Sequence, residues 1–236
     1  MDPSLIALVV SVAFIAAGSE FQTRRRHRRI AKDVRALFAP TKWTKANPAD
    51  APALNTPGIK EAIDALGDEG FRLLGDVKAT RATQVSQVRV LSDGQSSVAI
   101  HTTGSEPNQQ VVVQVEAELT DGRVLRVIRG LAAPALDEPP EVTRIDVREL
   151  SPTALLATYR NEMEKWASET QTRSEQVRFG SLEDVLASQI RQEVVRAAHR
   201  SAVGLTRDEA VRLVGEGGAK GLLKELQRQR EALRPF

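Results

Sequence analysis

The sequence predicts an α+β protein in which an antiparallel meander sheet of about six strands is flanked by helices. A single transmembrane helix precedes the sheet and an α-helical C-terminal region follows it. Three observations support this prediction: an uncharged apolar segment at residues 3–19, an apolar period of two between residues 71 and 148, and a helical period after residue 151.

Composition excludes several classes of site. The 236 residues contain no cysteine and three histidines, His27, His101 and His199. Disulfides, cysteine nucleophiles, thiolate metal sites and iron–sulfur clusters are therefore excluded, and zinc or haem sites have few possible ligands. We expect no catalytic residues, no metal-binding residues and no cofactor.

Positive charge is concentrated at the N-terminus. Residues 1–57 carry a balance of +5 between Lys/Arg and Asp/Glu, whereas residues 58–236 carry −3. A nucleic-acid-binding domain needs a basic face on its folded part. The acidic balance of the remainder predicts that nucleic acid is not a partner.

Residues 1–20 are predicted to form a transmembrane anchor. A helix over residues 3–19 is about 25 Å long, slightly less than the hydrocarbon core of a bilayer. A cleavable signal peptide and a buried core helix are the alternatives, but a signal peptide carries its positive charge before the apolar stretch and here the order is reversed. The apolar anchor residues are Leu5, Ile6, Leu8, Val9, Val10, Val12, Phe14 and Ile15.

Residues 21–38 are predicted to form a basic amphipathic juxtamembrane helix. The positive-inside rule then places the N-terminus outside and the C-terminal domain in the cytoplasm, in a bacterial-type topology at the cell inner membrane. Ile30, Val34, Leu37 and Phe38 form an apolar stripe. The basic residues, which either bind anionic lipid headgroups or only determine topology, are Arg24, Arg25, Arg26, Arg28, Arg29, Lys32 and Arg35.

Residues 39–57 are rich in proline and are interpreted as an extended linker. Residues 58–150 are predicted to form the β-rich α+β domain, opened by a helix that begins at Thr56-Pro57 and ends near Leu66. The predicted strands are Phe71–Ala79, Val85–Ser92, Ser96–Thr103, Gln109–Leu119, Arg123–Ile128 and Val142–Arg148.

Two Asp-Gly pairs predict hairpins between these strands. Asp93-Gly94 separates the second and third strands, and Asp121-Gly122 separates the fourth and fifth. Along the fourth strand valines alternate with Gln114, Glu116 and Glu118, which predicts one buried and one solvated face. His101 is expected to be an exposed strand residue.

Residues 151–236 are predicted to form an amphipathic helical region. Ser151-Pro152 and Ser181 begin two helices, Thr206 and Glu209 form a capping box, and a last helix spans Ala219–Leu233. The glycine cluster at residues 215–221 lacks the phosphate-loop pattern and is interpreted as a helix connection. The first helix supplies the candidate partner-interface residues Leu155, Tyr159, Met163 and Trp166, which pack either on the sheet or on a partner.

This order of parts favours a non-catalytic accessory or assembly subunit of an integral membrane protein complex, docked on the cytoplasmic side. It resembles, in organisation only, the H subunit of purple-bacterial photosynthetic reaction centres, which also has an N-out anchor, a cytoplasmic β-rich domain and a helical end. That resemblance makes an energy-transducing complex one example of a host. The alternative is a membrane-tethered sensor or adaptor that binds a small ligand or a soluble partner.

Overall fold

A computed structural model describes residues 28–32, 38–47, 54–82, 84–104, 109–130, 136–147, 151–169 and 175–231, together with Gln22, Arg25, Arg26 and Val34. The predicted anchor, residues 1–20, lies outside the described residues, as do Arg24 and Arg35. None of the helices in the described part of the chain combines the length and the apolar character that crossing a membrane requires.

The described elements follow one another in the order expected for an α+β protein. Their bounds are β1 Thr41–Lys45, α1 Pro57–Asp68, β2 Arg72–Arg81, β3 Gln84–Ser92, β4 Ser97–Thr103, β5 Gln110–Glu118, β6 Val124–Arg129, β7 Val142–Val147, α2 Pro152–Glu169, α3 Leu182–Val203, α4 Arg207–Val214 and α5 Glu216–Glu231.

The sheet has seven strands whose spatial order is the order of the chain. Both Asp-Gly hairpins are confirmed, since β3 pairs with β4 and β5 pairs with β6 in antiparallel register. Gly94 and Gly122 have φ of +94° and +88°, which glycine adopts without a Cβ penalty. At the first turn, Asp93 Oδ1 accepts hydrogen bonds from the Gln95 and Ser96 backbone N–H groups.

One strand that the sequence pattern does not predict is β1. It lies within residues 39–57, which the proline content predicts to be a linker. Trp43 is in register with Ala79 of β2, and Lys45 with Val77. β1 is an edge strand of five residues, and an edge strand tolerates prolines beside it because one row of its backbone groups pairs with no other strand. The neighbouring prolines indicated a linker, and five residues are too few to show the alternating pattern of a strand.

The expectation of a purely antiparallel meander is wrong at β7, which pairs with β6 in parallel. A parallel neighbour requires the chain to return to the starting end of β6 before β7 begins at Val142. Side-chain alternation is the same for a strand running in either direction, so the sequence pattern carries no information on this point.

Helices cover both faces of the sheet. On the first face, α1 and α2 pack on alternate residues of β5, including Val113 and Val115. On the second face, Phe179 and Val185 pack on Val77, Val88 and Val90. The prediction of a solvated second face is therefore wrong, because Val177, Phe179 and the start of α3 pack across it.

Most predicted helix starts are confirmed. The Ala154 N–H donates to Ser151 Oγ, the Asp184 N–H donates to Ser181 Oγ, and Thr206 and Glu209 form the predicted capping box. Thr56 occupies the N-cap position of α1, but its side chain makes no capping hydrogen bond.

Contacts divide the chain into two compact units: residues 39–202 form the sheet unit, and residues 1–38 with 203–236 form the helical unit. In the helical unit, Ile30 and Ala31 pack against α4 and α5 through Ala210, Ala219 and Leu222. Gly215 alone connects α4 to α5, and residues 216–221, which were predicted to belong to the connection, form the first turns of α5. α2 and residues 182–202 of α3 belong to the sheet unit.

Candidate functional site

A buried polar cluster beneath α3 is the first unusual feature of the sheet unit. Its centre is Glu116 and Glu118 of β5, whose residues are only 1% and 3% exposed. Residues two apart on a strand share a face, so both carboxylates point at α3. We expected this face to be solvated.

Glu116 is held by donors from the sheet and from α3. Its Oε2 accepts a hydrogen bond from Arg126 Nε at 2.9 Å, and its Oε1 accepts one from Gln189 Nε2 at 3.1 Å. Arg126 Nη2 also donates to Gln192 Oε1 at 2.7 Å. Burial alone lowers the pKa of Arg126, but the charges of Glu116 and Glu138 outweigh burial and raise it.

Glu118 and Glu193 fix two further points of α3. Arg191 Nε donates to Glu118 Oε1 at 3.0 Å, and Ser188 Oγ donates to Glu118 Oε2. Glu193 Oε1 accepts from Arg81 Nη2 at 3.0 Å, and its Oε2 accepts from the Thr41 N–H at 3.1 Å. These carboxylates have charged or polar partners, so the cluster fixes the rotation of α3 on the sheet.

The second feature follows from this rotation. From Ser188 onward, α3 directs polar side chains inward and leaves apolar residues outside. Ile190 and Val194, one helical turn apart, are 52% and 64% exposed. A helix packed on a sheet ordinarily buries its apolar stripe. We call the exposed residues Ala187, Ile190, Arg191, Val194 and Ala198 the outer face of α3.

The helical spacing of the residues predicts one apolar side of this helix, formed by Leu182, Val185, Leu186, Ile190, Val194 and Ala198. The structure divides them. Leu182, Val185 and Leu186 pack against the sheet face, whereas Ile190 and Val194 face outward. Apolar periodicity alone missed this division, because the polar partners that orient the helix are on other elements.

The third feature is a cavity between the second face of the sheet and the start of α3. Its volume is about 70 Å³. Trp43 Nε1 and His101 Nδ1, which belong to two of its lining residues, are buried and have no hydrogen-bond partner among the described residues. Burial lowers the pKa of His101, so the imidazole is neutral at pH 7.

The structure places the candidate partner-interface residues inside the protein. Leu155, Tyr159 and Trp166 are buried in the core on the first face of the sheet, and Met163 packs against that core. Tyr159 Oη and Ser96 Oγ share a hydrogen bond of 2.7 Å, and burial raises the pKa of Tyr159 to about 12. These residues pack on the sheet, which was one of the two expected outcomes, and of the four only Met163 is partly exposed.

The described basic residues Arg25, Arg26, Arg28, Arg29 and Lys32 are exposed. Of the apolar stripe predicted beside them, Ile30 packs against α4 and α5, and Val34 is buried. That part of the stripe is therefore not available to enter a lipid layer. Arg28 Nε lies 3.9 Å from Glu225 Oε1, which is a weak exposed pair.

Among the described residues, no cluster of three or more His, Cys, Asp or Glu side chains is arranged to hold a metal ion. Comparisons with protein-family models, with curated proteins and with solved structures each find no match to this chain.

Proposed function

We propose that this chain is a non-catalytic accessory or assembly subunit of a membrane protein complex. One N-out/C-in helix anchors it in the inner membrane, and its sheet unit docks on the cytoplasmic side of its host. The outer face of α3 is the docking surface. The observation that carries the proposal is the exposure of Ile190 and Val194 on a helix whose inner side is polar.

The energetics of α3 support this assignment. Each exposed aliphatic side chain gives up about 1.5–3 kcal/mol relative to full burial. Rotating α3 to bury Ile190 and Val194 is blocked, because Ser188 and Arg191 bind Glu118 while Gln189 binds Glu116. The helix is therefore fixed with an apolar strip outward, which is the anatomy of a helix that packs against another helix.

The anchor supports docking through a small surface. Confinement in the bilayer raises the effective concentration of the sheet unit near its host. Arg191 stands beside the apolar residues of the outer face and is half-exposed, but its guanidinium binds Glu118 and adds no uncompensated charge at the rim. The partner that fits is an apolar helix belonging to an integral membrane protein.

The test is co-purification of the full chain from mild detergent, with bound proteins quantified by mass spectrometry. The Ile190→Gln/Val194→Gln variant removes the apolar strip and is compared with Val85→Gln, which changes a residue on β3 that is 54% exposed. We expect a stoichiometric set of integral membrane proteins with the unmodified chain and with Val85→Gln, and loss of this set with the double variant. A monodisperse chain without partners, or partners that survive the double variant, overturns the proposal.

A second function, that of a membrane-tethered sensor of a small ligand, is supported by a separate observation. The cavity beneath α3 is lined mainly by apolar side chains, and two of its lining residues, Trp43 and His101, carry a buried polar atom without a hydrogen-bond partner among the described residues. An apolar cavity with few polar groups is the usual form of a small-molecule site.

A further inference from the structure

The helical segment before β1 separates basic from apolar side chains along its length. Its exposed basic residues follow the spacing i, i+3, i+4 and i+7, and they are Arg25, Arg28, Arg29 and Lys32. Residues at this spacing lie on one side of a helix. We call these four residues the basic face.

The opposite side of the same segment packs inside the helical unit. Ala31 and Val34 are buried, and Ile30 and Ala31 pack against α4 and α5. At 3.6 residues per turn, the basic face points roughly opposite to Ala31 and Val34. An amphipathic helix that lies in a bilayer surface buries its apolar stripe in lipid. Here α4 and α5 cover that stripe, so the segment is oriented with its basic face outward.

The last helix extends this positive surface. Lys220, Lys224 and Arg228 lie four residues apart along one exposed side of α5. Glu225 Oε1 accepts a hydrogen bond from Arg228 Nη2 at 3.0 Å and lies 3.9 Å from Arg28 Nε. One carboxylate thus lies between two guanidinium groups, which makes the basic face continuous with α5.

Charge is divided between the two units of the fold. Residues 1–38 and 203–236 together contain 14 Lys or Arg and 8 Asp or Glu, whereas residues 39–202 contain 19 and 23. The helical unit is therefore net positive and the sheet unit net negative. A partner attracted by this charge difference is anionic and binds the helical unit.

The position of the basic face in the chain identifies this partner. Arg25 follows the end of the apolar segment, residues 3–19, by six positions. An extended chain covers at most about 3.6 Å per residue, so Arg25 lies within about 22 Å of that end. When residues 1–20 span the inner membrane, the basic face is confined to the neighbourhood of the headgroups. Anionic headgroups give that region a negative potential that attracts Lys and Arg.

We propose that the basic face, together with Lys224 and Arg228 of α5, binds the headgroups of anionic phospholipids. The contact is electrostatic, because the apolar side chains of the segment are used inside the helical unit. Anionic lipids are thereby enriched around the anchor, and the helical unit is held at the membrane surface. This inference rests on the proposed anchor and is independent of docking through the outer face of α3.

The test measures lipid selectivity around the full chain in phosphatidylcholine nanodiscs. A trace of spin-labelled phosphatidylglycerol or spin-labelled phosphatidylcholine is added, and the fraction of each label that the protein immobilises gives their relative affinity. Both leaflets have the same composition, so the orientation of the chain does not affect the result. We expect phosphatidylglycerol to be preferred by about threefold or more at low salt. The preference should disappear in about 1 M NaCl, where the Debye length is about 3 Å.

Two sets of substitutions with the same change of net charge are compared. The first removes the basic face with glutamine, which is a good helix former, and consists of Arg25→Gln, Arg28→Gln, Arg29→Gln and Lys32→Gln. The matched control removes four exposed basic residues of the sheet unit, and consists of Lys42→Gln, Lys60→Gln, Arg72→Gln and Lys78→Gln. We expect the preference for phosphatidylglycerol to disappear in the first variant and to persist in the control.

A third variant separates charge from local structure. It keeps the positive charges and changes the side chains, through Arg25→Lys, Arg28→Lys and Arg29→Lys. We expect it to retain the preference of the unmodified chain, because an electrostatic contact depends on charge and not on guanidinium geometry.

The inference is overturned if the unmodified chain shows no preference for phosphatidylglycerol, if the glutamine variant of the basic face keeps it, or if the sheet-unit control or the lysine variant loses it. Flotation of the full chain with phosphatidylcholine vesicles at high salt reads the anchor separately. A chain that floats but has no lipid preference loses only this inference. A chain that floats only with vesicles containing phosphatidylglycerol, and only at low salt, loses the anchor and keeps the basic face as a lipid-binding surface. A chain that floats with neither loses both.

Discussion

Arg126 of β6 donates hydrogen bonds to side chains of β5, of the segment before β7 and of α3, and thereby connects the sheet to α3. It donates to Glu116 at 2.9 Å, to Glu138 at 3.2 Å and to Gln192 at 2.7 Å. A buried ion pair adds little net stability, yet removing one member leaves the other charge uncompensated. The main structural role of this cluster is therefore to orient α3 on the sheet.

We therefore expect Arg126→Met to lower the free energy of unfolding by about 3–5 kcal/mol. Urea denaturation followed by tryptophan fluorescence measures the loss. Arg160→Met is the matched control, because the side chain of Arg160 is 55% exposed in its pair with Glu69. An exposed pair contributes about 0–1 kcal/mol. Equal losses in the two variants contradict the structural role of Arg126.

His101 predicts a pH dependence of stability. Burial lowers its pKa in the folded state, so the unfolded chain takes up the proton more readily. Its contribution to stability is complete above the ordinary histidine pKa of about 6.5 and declines as the pH falls towards the lower folded-state pKa. Glu116, paired with Arg126, faces the same cavity.

The His101→Gln variant removes this titration. We expect its unfolding free energy to fall less between pH 7.5 and pH 5.5 than that of the unmodified chain. Urea midpoints measured across this range provide the comparison, with His199→Gln as the variant that leaves His101 in place. An unchanged pH dependence in His101→Gln shows that another group is responsible.

Sequence reasoning was accurate about side-chain alternation and inaccurate about burial. It placed Gln114, Glu116 and Glu118 on one face, which the register of β5 confirms. It called that face solvated because carboxylates are ordinarily exposed. Arg126 lies on the neighbouring strand, but Gln189 and Arg191 of α3 are each 73 residues from the carboxylate they bind, so only tertiary contacts reveal the buried cluster.

The turn after β6 contains a glycine, Gly130, that has no room for a side chain. Gly130 has φ of +87°, and a Cβ built there lies 2.5 Å from the Val111 carbonyl oxygen. Gly122 has φ of +88° and nothing within 4 Å of the same position. The two glycines share a backbone conformation and differ only in their surroundings.

Alanine at Gly122 tests backbone strain alone, whereas alanine at Gly130 tests the same strain together with a steric clash against β5. We expect Gly122→Ala to cost about 1–2 kcal/mol through the left-handed conformation alone. Gly130→Ala should cost at least about 1 kcal/mol more, because the β5 backbone must move. Thermal or urea unfolding of both variants measures the difference. If the two variants lose the same free energy of unfolding, Gly130 does not lie as close to the β5 backbone as the structure shows.

Strand periodicity identified β2 to β7 but not every partner or direction. β5 shows its alternation because it is long and apolar on alternate residues. β1 has five residues with three polar side chains exposed, and its pairing depends on β2. The parallel direction of β7 is a property of its pairing with β6, which no local pattern encodes.

At the level of the whole molecule, the sheet unit has its own core. The two apolar clusters of residues 39–202 draw their described members from between Trp43 and Leu186. We expect a fragment of residues 39–202 to fold cooperatively, with both tryptophans in their native surroundings. Circular dichroism and fluorescence during heating test this expectation. A fragment that binds hydrophobic dyes and melts without cooperativity contradicts it.

The strand order has a consequence for how the chain emerges during synthesis. Each strand after β1 pairs with the strand before it, so β2 to β6 can pair as they leave the ribosome, with little loop closure to wait for. α3 is made only after residue 181. Until then, Gln114, Glu116, Glu118 and Arg126 face water on an uncovered sheet. These polar groups break up the apolar surface of Val77, Val88 and Val90, which the same face exposes until Phe179 and α3 cover it.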